Sequence, residues 1–272
     1  MDSASPVPPP IPGNAATADV DLDAIARRFQ RTSMAEAYSK RAPYPPAIDD
    51  ILLDLLGNSP RIVLDLGCGP GTLARRLAPR VTRVDAVDFS PAMIAEGKRL
   101  PGGDHPAIRW ICGNAEDVPL TAPYSLITAG KSLHWMRYEI VLPRCRPLLS
   151  ASGVLAIVNV TRYVPWKEEE SRLLARYATV RNHLPAALVE ELKRKQLFRP
   201  VGEQATEEIV VRQTVEDYVD SFQSKEAFCR EDLRPENAAR FQRDFKRLLA
   251  EYADDDQLDF TICGRVVWGH LT

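Results

Sequence analysis

Several things are scarce in these 272 residues, and each scarcity removes a class of function. Charge of one sign is missing: 35 Lys and Arg against 37 Asp and Glu leave a net charge of −2. Such a chain has no general attraction for phosphate backbones or anionic lipid surfaces, so nucleic acid is not an expected partner. Cysteine is sparse and scattered, at Cys68, Cys112, Cys145, Cys229 and Cys263. No C-x-x-C pair occurs, and none of the four histidines stands at zinc-ligand spacing from a cysteine, so no metal is expected and the thiols read as reduced, in a cytoplasmic protein. No apolar run approaches the roughly 18 residues of a membrane span, the first residues lack the basic-then-apolar pattern of a signal peptide, and no internal repeat is visible.

What is present is ordinary globular composition, 45% hydrophobic and 26% charged. The stretch "MDSASPVPPPIPGNAATA", residues 1–18, is rich in Pro, Ala and Ser and reads as a flexible tail; residues 19–272 read as one domain. The spacing of Leu22, Ile25 and Phe29 predicts a helix, and "SMAEAYSK" a second. Helix and strand then alternate. Helices are expected near 46–57, 71–79, 91–99 and within 137–149, and strands at 61–66, 82–88, 107–112, 124–129 and 154–160. Alternation of this kind predicts an α/β fold with a parallel sheet covered by helices on both faces. Beyond residue 160 the pattern turns mostly helical, with Leu173, Tyr177, Val180 and Leu184 on one stripe. A strand at "EEIVVRQ", two helices across 214–252 and a strand near "LDFTICGRVVWGHL" follow.

Three glycine-rich loops compete for "DLGCGPGTL". The dinucleotide fingerprint G-x-G-x-x-G needs Gly or Ala where Thr72 stands, which disfavours a nicotinamide dehydrogenase. A phosphate loop ending in "GKS" at 130–132 needs a glycine where Ser125 stands. There remains Asp65-x-Gly67-x-Gly69-x-Gly71, a strand-to-helix turn in which the backbone can come close to a ligand because no Cβ intervenes. Asp88 follows 21 positions after Gly67, at the end of the next strand, where a carboxylate can accept both hydroxyls of a ribose. Ser90 and Pro91 then read as the cap and first turn of a helix. Asp85, three positions earlier, reads as a decoy.

In this run the sequence resembles the class I S-adenosylmethionine-dependent methyltransferases. "GNAED" resembles the adenine-reading segment of that family, with Asn114 in place of its usual Asp. "TAGKSLHWM" and "YSKRAPYP" resemble segments of the small-molecule branch that includes trans-aconitate methyltransferase-like proteins. The resemblance implies a Rossmann-like, seven-strand, mostly parallel sheet with a reversed last strand, under a helical cap made of about 20–47 and 162–200. It implies S-adenosylmethionine as cofactor and methyl transfer to a small-molecule acceptor. A noncatalytic module that binds the same cofactor to regulate or scaffold is the rival reading.

Carried over residue by residue, the methionine part would meet Asp65, Gly67, Cys68, Gly69, Gly71 and Leu73, with Tyr38 and Arg41 folding over it. The ribose would meet Asp88, and the adenine edge Asn114 and the next backbone N–H, that of Ala115, with Phe89, Met93, Glu116 and Lys131 also at the cofactor. His134 and Trp135 would line the acceptor site, with Trp166 and Tyr177 closing the cap over it. His134 carries two readings, a substrate contact or general base and a structural histidine packed on Trp135. The acceptor atom, O, N or C, is not written in the sequence.

Overall fold

The computed structural model describes residues 29–57, 61–178, 188–225, 228 and 235–272. The expected tail, the helix turns carrying Leu22 and Ile25, and Val180, Leu184 and Cys229 lie outside the described residues. In chain order the elements are α1 (Thr32–Tyr38), α2 (Ala47–Leu55), β1 (Ile62–Leu66), α3 (Thr72–Leu77), β2 (Arg83–Asp88), α4 (Pro91–Arg99), β3 (Ile108–Cys112) and β4 (Tyr124–Gly130). Then come α5 (Tyr138–Cys145), β5 (Leu149–Tyr163), α6 (Lys167–Tyr177), α7 (Leu188–Arg194), β6 (Phe198–Ala205), β7 (Ile209–Thr214), α8 (Val215–Ser221), α9 (Pro235–Leu249) and β8 (Gln257–Leu271).

The sheet runs β3-β2-β1-β4-β5-β8-β6, with β7 also paired to β8. β1 to β5 are mutually parallel, and β8 is antiparallel to β5, β6 and β7, so the last strand is the reversed one. β6 and β7 lie end to end along one edge of β8, β6 against Arg265–Leu271 and β7 against Gln257–Ile262. The eight strands therefore occupy seven lanes. Strand residues alternate between two buried clusters because successive side chains point to opposite faces. Val63, Val84, Leu126 and Ala156 meet Ile48 and Leu52 of α2 on one face, whereas Leu64, Ile127 and Leu155 meet Val141 and Leu142 of α5 on the other.

A third cluster lies apart from the sheet layers. Trp166, Leu173, Tyr218, Phe222, Phe241 and Phe245 pack with Phe260 and Ile262 of β8, so α6, α8 and α9 form the cap over the extended ends of β5 and β8. This corrects the expected cap of 162–200: α6 belongs to it, but Leu192 of α7 packs into the sheet's second cluster and residues from Phe198 onward are a strand. α1 crosses between the sheet and the cap. Before its start, the Phe29 carbonyl accepts a 2.6 Å bond from Ser90 Oγ, and after its end Arg41 donates to Ser224 Oγ and carbonyl at 2.7 Å each.

Candidate active site

The turn after β1 places Gly67, Gly69 and Gly71 at φ of 63°, 55° and 72°, the left-handed region that side chains resist. The three positions serve different ends. A Cβ on Gly71 would lie 2.3 Å from the Trp110 ring, and one on Gly67 would lie 2.6 Å from the Cβ of Ser132, so both are demanded by packing. At Gly69 the nearest atoms would be those of the Tyr38 ring at 3.8 Å, and this glycine opens on a cavity.

Asp88 ends β2 beside that loop. Its Oδ2 accepts from the Gly69 N–H at 2.8 Å and its Oδ1 from the Ser90 N–H at 2.9 Å. Each oxygen keeps acceptor capacity for a further donor. Burial pushes Asp88 up to about 6 against the opposing pull of those two bonds. Asp65 is more deeply set: burial pushes it up to about 7, although Thr128 Oγ1 donates to it at 2.8 Å. Asp85 is neutralised structurally, held by Arg109 at 2.6 Å, by Arg83 at 3.1 Å and by the Tyr124 hydroxyl at 2.6 Å.

A cavity of about 300 Å³ opens at the carboxyl ends of β1, β2 and β4, where open α/β sheets hold ligands. Of the residues expected from sequence, Tyr38, Arg41, Gly67, Gly69, Asp88, Phe89, Met93, Lys131, His134 and Trp135 line it. A second cavity of about 470 Å³ adjoins it, sharing Tyr38, Arg41, Lys131 and Lys225, and reaches Tyr44, Val160, Arg162 and Ile262.

The remaining expected residues are placed elsewhere. Asp65, Cys68, Gly71 and Leu73 are buried and line neither cavity. Asn114 turns the chain, its carbonyl accepting from the Asp117 and Val118 N–H groups, Ala115 is buried, and Glu116 accepts from the Arg137 N–H at 2.9 Å. Trp166 and Tyr177 line neither cavity, correcting the expectation that they close over the acceptor. Trp166 is buried in the cap core and donates to the Tyr218 hydroxyl at 2.9 Å, and the Tyr177 hydroxyl donates to Asp244 at 2.5 Å. Trp166 is core here, and Tyr177 is half-buried against the same cluster.

Sequence reasoning missed Ser132, Met136, Lys225 and Arg162. Lys225 comes from the turn after α8, more than ninety positions beyond "GKS", and no motif marks it. His134 sits in the 3-10 turn Leu133–Trp135 with its ring centroid 4.5 Å from that of Trp135. Burial first, then the charges of Lys131 and Arg41, lower it to about 4, so the imidazole is neutral at pH 7. Among the described residues no cluster of His, Cys, Asp and Glu could hold a metal ion, and no helix is long and apolar enough to cross a membrane.

Residues 63–153, which run from β1 through the glycine loop, Asp88 and His134 to the start of β5, match the family described as "Methyltransferase domain". This segment, about a third of the chain, is similar to a methyltransferase domain. Two relatives share its sequence over part of their lengths. The malonyl-[acyl-carrier protein] O-methyltransferase of Anoxybacillus flavithermus is 29% identical over 119 residues, 43% of this chain and 44% of the relative. The trans-aconitate 2-methyltransferase of Escherichia coli is 35% identical over 99 residues, 35% of this chain and 37% of the relative. The chain thus spans less than half the length of either. A candidate type II methyltransferase from Anaeromyxobacter dehalogenans has the same fold at 21% identity, with a TM-score of 0.65 over 85% of this chain and 97% of that one. The two structures share a Rossmann-like fold, and the glycine loop and Asp88 lie at the carboxyl edge of its parallel strands.

Proposed function

We propose that the protein transfers a methyl group from S-adenosylmethionine to a small-molecule acceptor in the cytoplasm. The observation that carries this reading is the first cavity, in which a buried carboxylate at the end of β2 and an open glycine face one space. The residues fit the cofactor. Asp88 has free acceptor capacity for two ribose hydroxyls, Phe89 and Met93 offer an apolar shelf for a base, and Arg41 offers a cation to a carboxylate. The bound cofactor supplies a methyl group activated by its sulfonium.

The protein's own part is binding and placement, because an activated donor needs in-line alignment more than acid–base help. Tyr38, Trp135 and Met136 enclose the cavity and limit water. His134, neutral and beside both Lys131 and Ser132, is positioned to accept a proton from an acceptor hydroxyl or amine, weakly given its low basicity. The adjoining cavity gives an acceptor somewhere to sit, which supports the catalytic reading over a noncatalytic module.

Calorimetry with S-adenosylhomocysteine, with NAD as control, tests the cofactor; a screen over small carboxylic acids, phenols and amines that reads S-adenosylhomocysteine release tests the reaction. Micromolar binding of the first, none of NAD and turnover of at least one acceptor is the expected result. Binding without turnover of any acceptor would return the noncatalytic reading.

A further inference from the structure

The second cavity is lined by Arg41, Arg75, Lys131, Arg162 and Lys225, and by no Asp or Glu among the described residues. Two of these cations are occupied at their tips by protein acceptors at the rim: Arg75 donates to the Pro70 and Pro101 carbonyls, and Arg162 pairs with Glu170 at 2.6 Å. Arg41 spends its guanidinium on neutral groups, Ser224 and the Tyr38 ring. Lys225 has its Nζ 3.6 Å from the Phe222 ring centroid, and among the described residues Lys131 has no carboxylate beside it. Among the described residues, one buried acid, Glu170, thus faces several buried or half-buried cations.

Lys131 is held there at a cost. Its φ of 52° puts a side-chain residue in the left-handed region, between Gly130 and Ser132 at the end of β4, where a glycine would be unstrained. Burial, then the neighbouring positive charges, lowers both ammonium groups, Lys225 to about 7. Among the described residues, Glu170 is the one acid set against this cluster, which favours a negative ligand. S-adenosylmethionine would bring one carboxylate, which Arg41 can meet, together with two positive charges, so it leaves Lys131 and Lys225 uncompensated.

We infer that the acceptor is a small organic anion whose carboxylate or phosphate group is seated in the second cavity by Lys131 and Lys225, with Arg41 and Arg162 flanking. This rests on the proposed methyl transfer for the word acceptor, but the anion seat itself does not need that reaction. The seat orients the acceptor by its charged end, so that another of its atoms faces His134 and the first cavity.

The test uses the full chain without cofactor, so that it succeeds or fails independently of methyl transfer. Citrate, glycerol 3-phosphate and uncharged glycerol are titrated against wild type, Lys225→Gln, Lys131→Gln and Lys225→Arg, with binding measured by calorimetry and by the ligand-induced shift in melting temperature. Wild type is expected to bind at least one of the two anions and not glycerol. Each Gln variant should weaken that anion about tenfold or more, the size expected for one lost charge-assisted bond, and Lys225→Arg should restore most of it. Which anion is tighter distinguishes a carboxylate from a phosphate. Folded Gln variants that bind the anions as wild type does, or a wild type that binds neither, would overturn the inference. Anion binding together with absent S-adenosylhomocysteine binding would leave the seat standing and remove the methyl-transfer reading instead.

Discussion

Replacing Gly71 by Ala should damage the fold, while the same change two residues earlier should damage ligand binding. At Gly71 the new Cβ would lie 2.3 Å from Trp110 Cη2 and 2.9 Å from Cζ3. The ring cannot yield easily, since its other side abuts Gly97, where a Cβ would be 2.5 Å away, and its Nε1 donates to the Gly103 carbonyl at 2.9 Å. Left-handed strain costs about 1–2 kcal/mol and overpacking about 1–3 kcal/mol, together about 2–5 kcal/mol. For a chain of this size that lowers the melting temperature by roughly 5–15 °C. At Gly69 only the strain applies, because the Cβ meets nothing closer than 3.8 Å, so the loss should be about 1–2 kcal/mol. Its methyl group projects toward the cavity, however, and S-adenosylhomocysteine affinity should fall more than in Gly71→Ala. Thermal melts and calorimetry on both variants check the pair. Trp110→Leu should be less than additive with Gly71→Ala, because it removes the obstacle. Equal melting temperatures for the two alanine variants would refute the assignment of one glycine to packing and the other to the ligand.

Three further outcomes are expected. With His134 lowered to about 4, the acidic limb of kcat/KM should fall well below the ordinary histidine value of about 6.5, and His134→Ala should abolish it and reduce turnover about 10²-fold; unchanged turnover would leave His134 as packing for Trp135. Trp166→Phe removes a bond to Tyr218, whose hydroxyl also serves Glu170, so it should cost about 1–3 kcal/mol in a denaturant melt while leaving acceptor KM unchanged. Asp65 is raised to about 7 in the fold, so its proton stabilises the folded state at low pH and that stabilisation is lost as pH climbs from about 4 to 7. Asp65→Asn should therefore gain on wild type by up to about 1.4 kcal/mol per pH unit through that window, and a pH-independent difference in melting would show the carboxylate to be ionised throughout.

Strands β1, β4 and the core of β5 were legible because both faces of each are covered, which writes them as mostly apolar segments such as "IVL" and "VLAIV"; β2, with Arg83, Asp85 and Asp88, was legible from its place in the alternation. Asp88 was legible for a different reason, since the length of one helix-and-strand unit fixes its distance from the glycine loop. β6 was not, because "FRPVGEQA" is an edge strand with only Phe198 fully buried, and its polar, proline-bearing sequence carries no periodic signal. The cap escaped for want of locality: Trp166, Tyr218 and Phe245 meet in one cluster from three helical segments and announce nothing in any single window. Lys225 and Arg162 are the same problem at the site, as charge gathered by tertiary structure looks like ordinary surface charge along the chain.

The segment carrying α1 is fastened at two places by bonds of different kinds, and this sets how it should respond to its medium. Ahead of α1, the Ser90–Phe29 bond is buried and neutral, insensitive to salt. Behind it, besides Arg41 on Ser224, Lys40 pairs with Asp217 of α8 at the surface, with both side chains about two-fifths exposed. Added electrolyte screens that pair and leaves the buried fastening alone. Raised ionic strength should therefore weaken the cap-side fastening by the small share that Lys40 carries, while Arg41 on Ser224 and the Phe29 end hold.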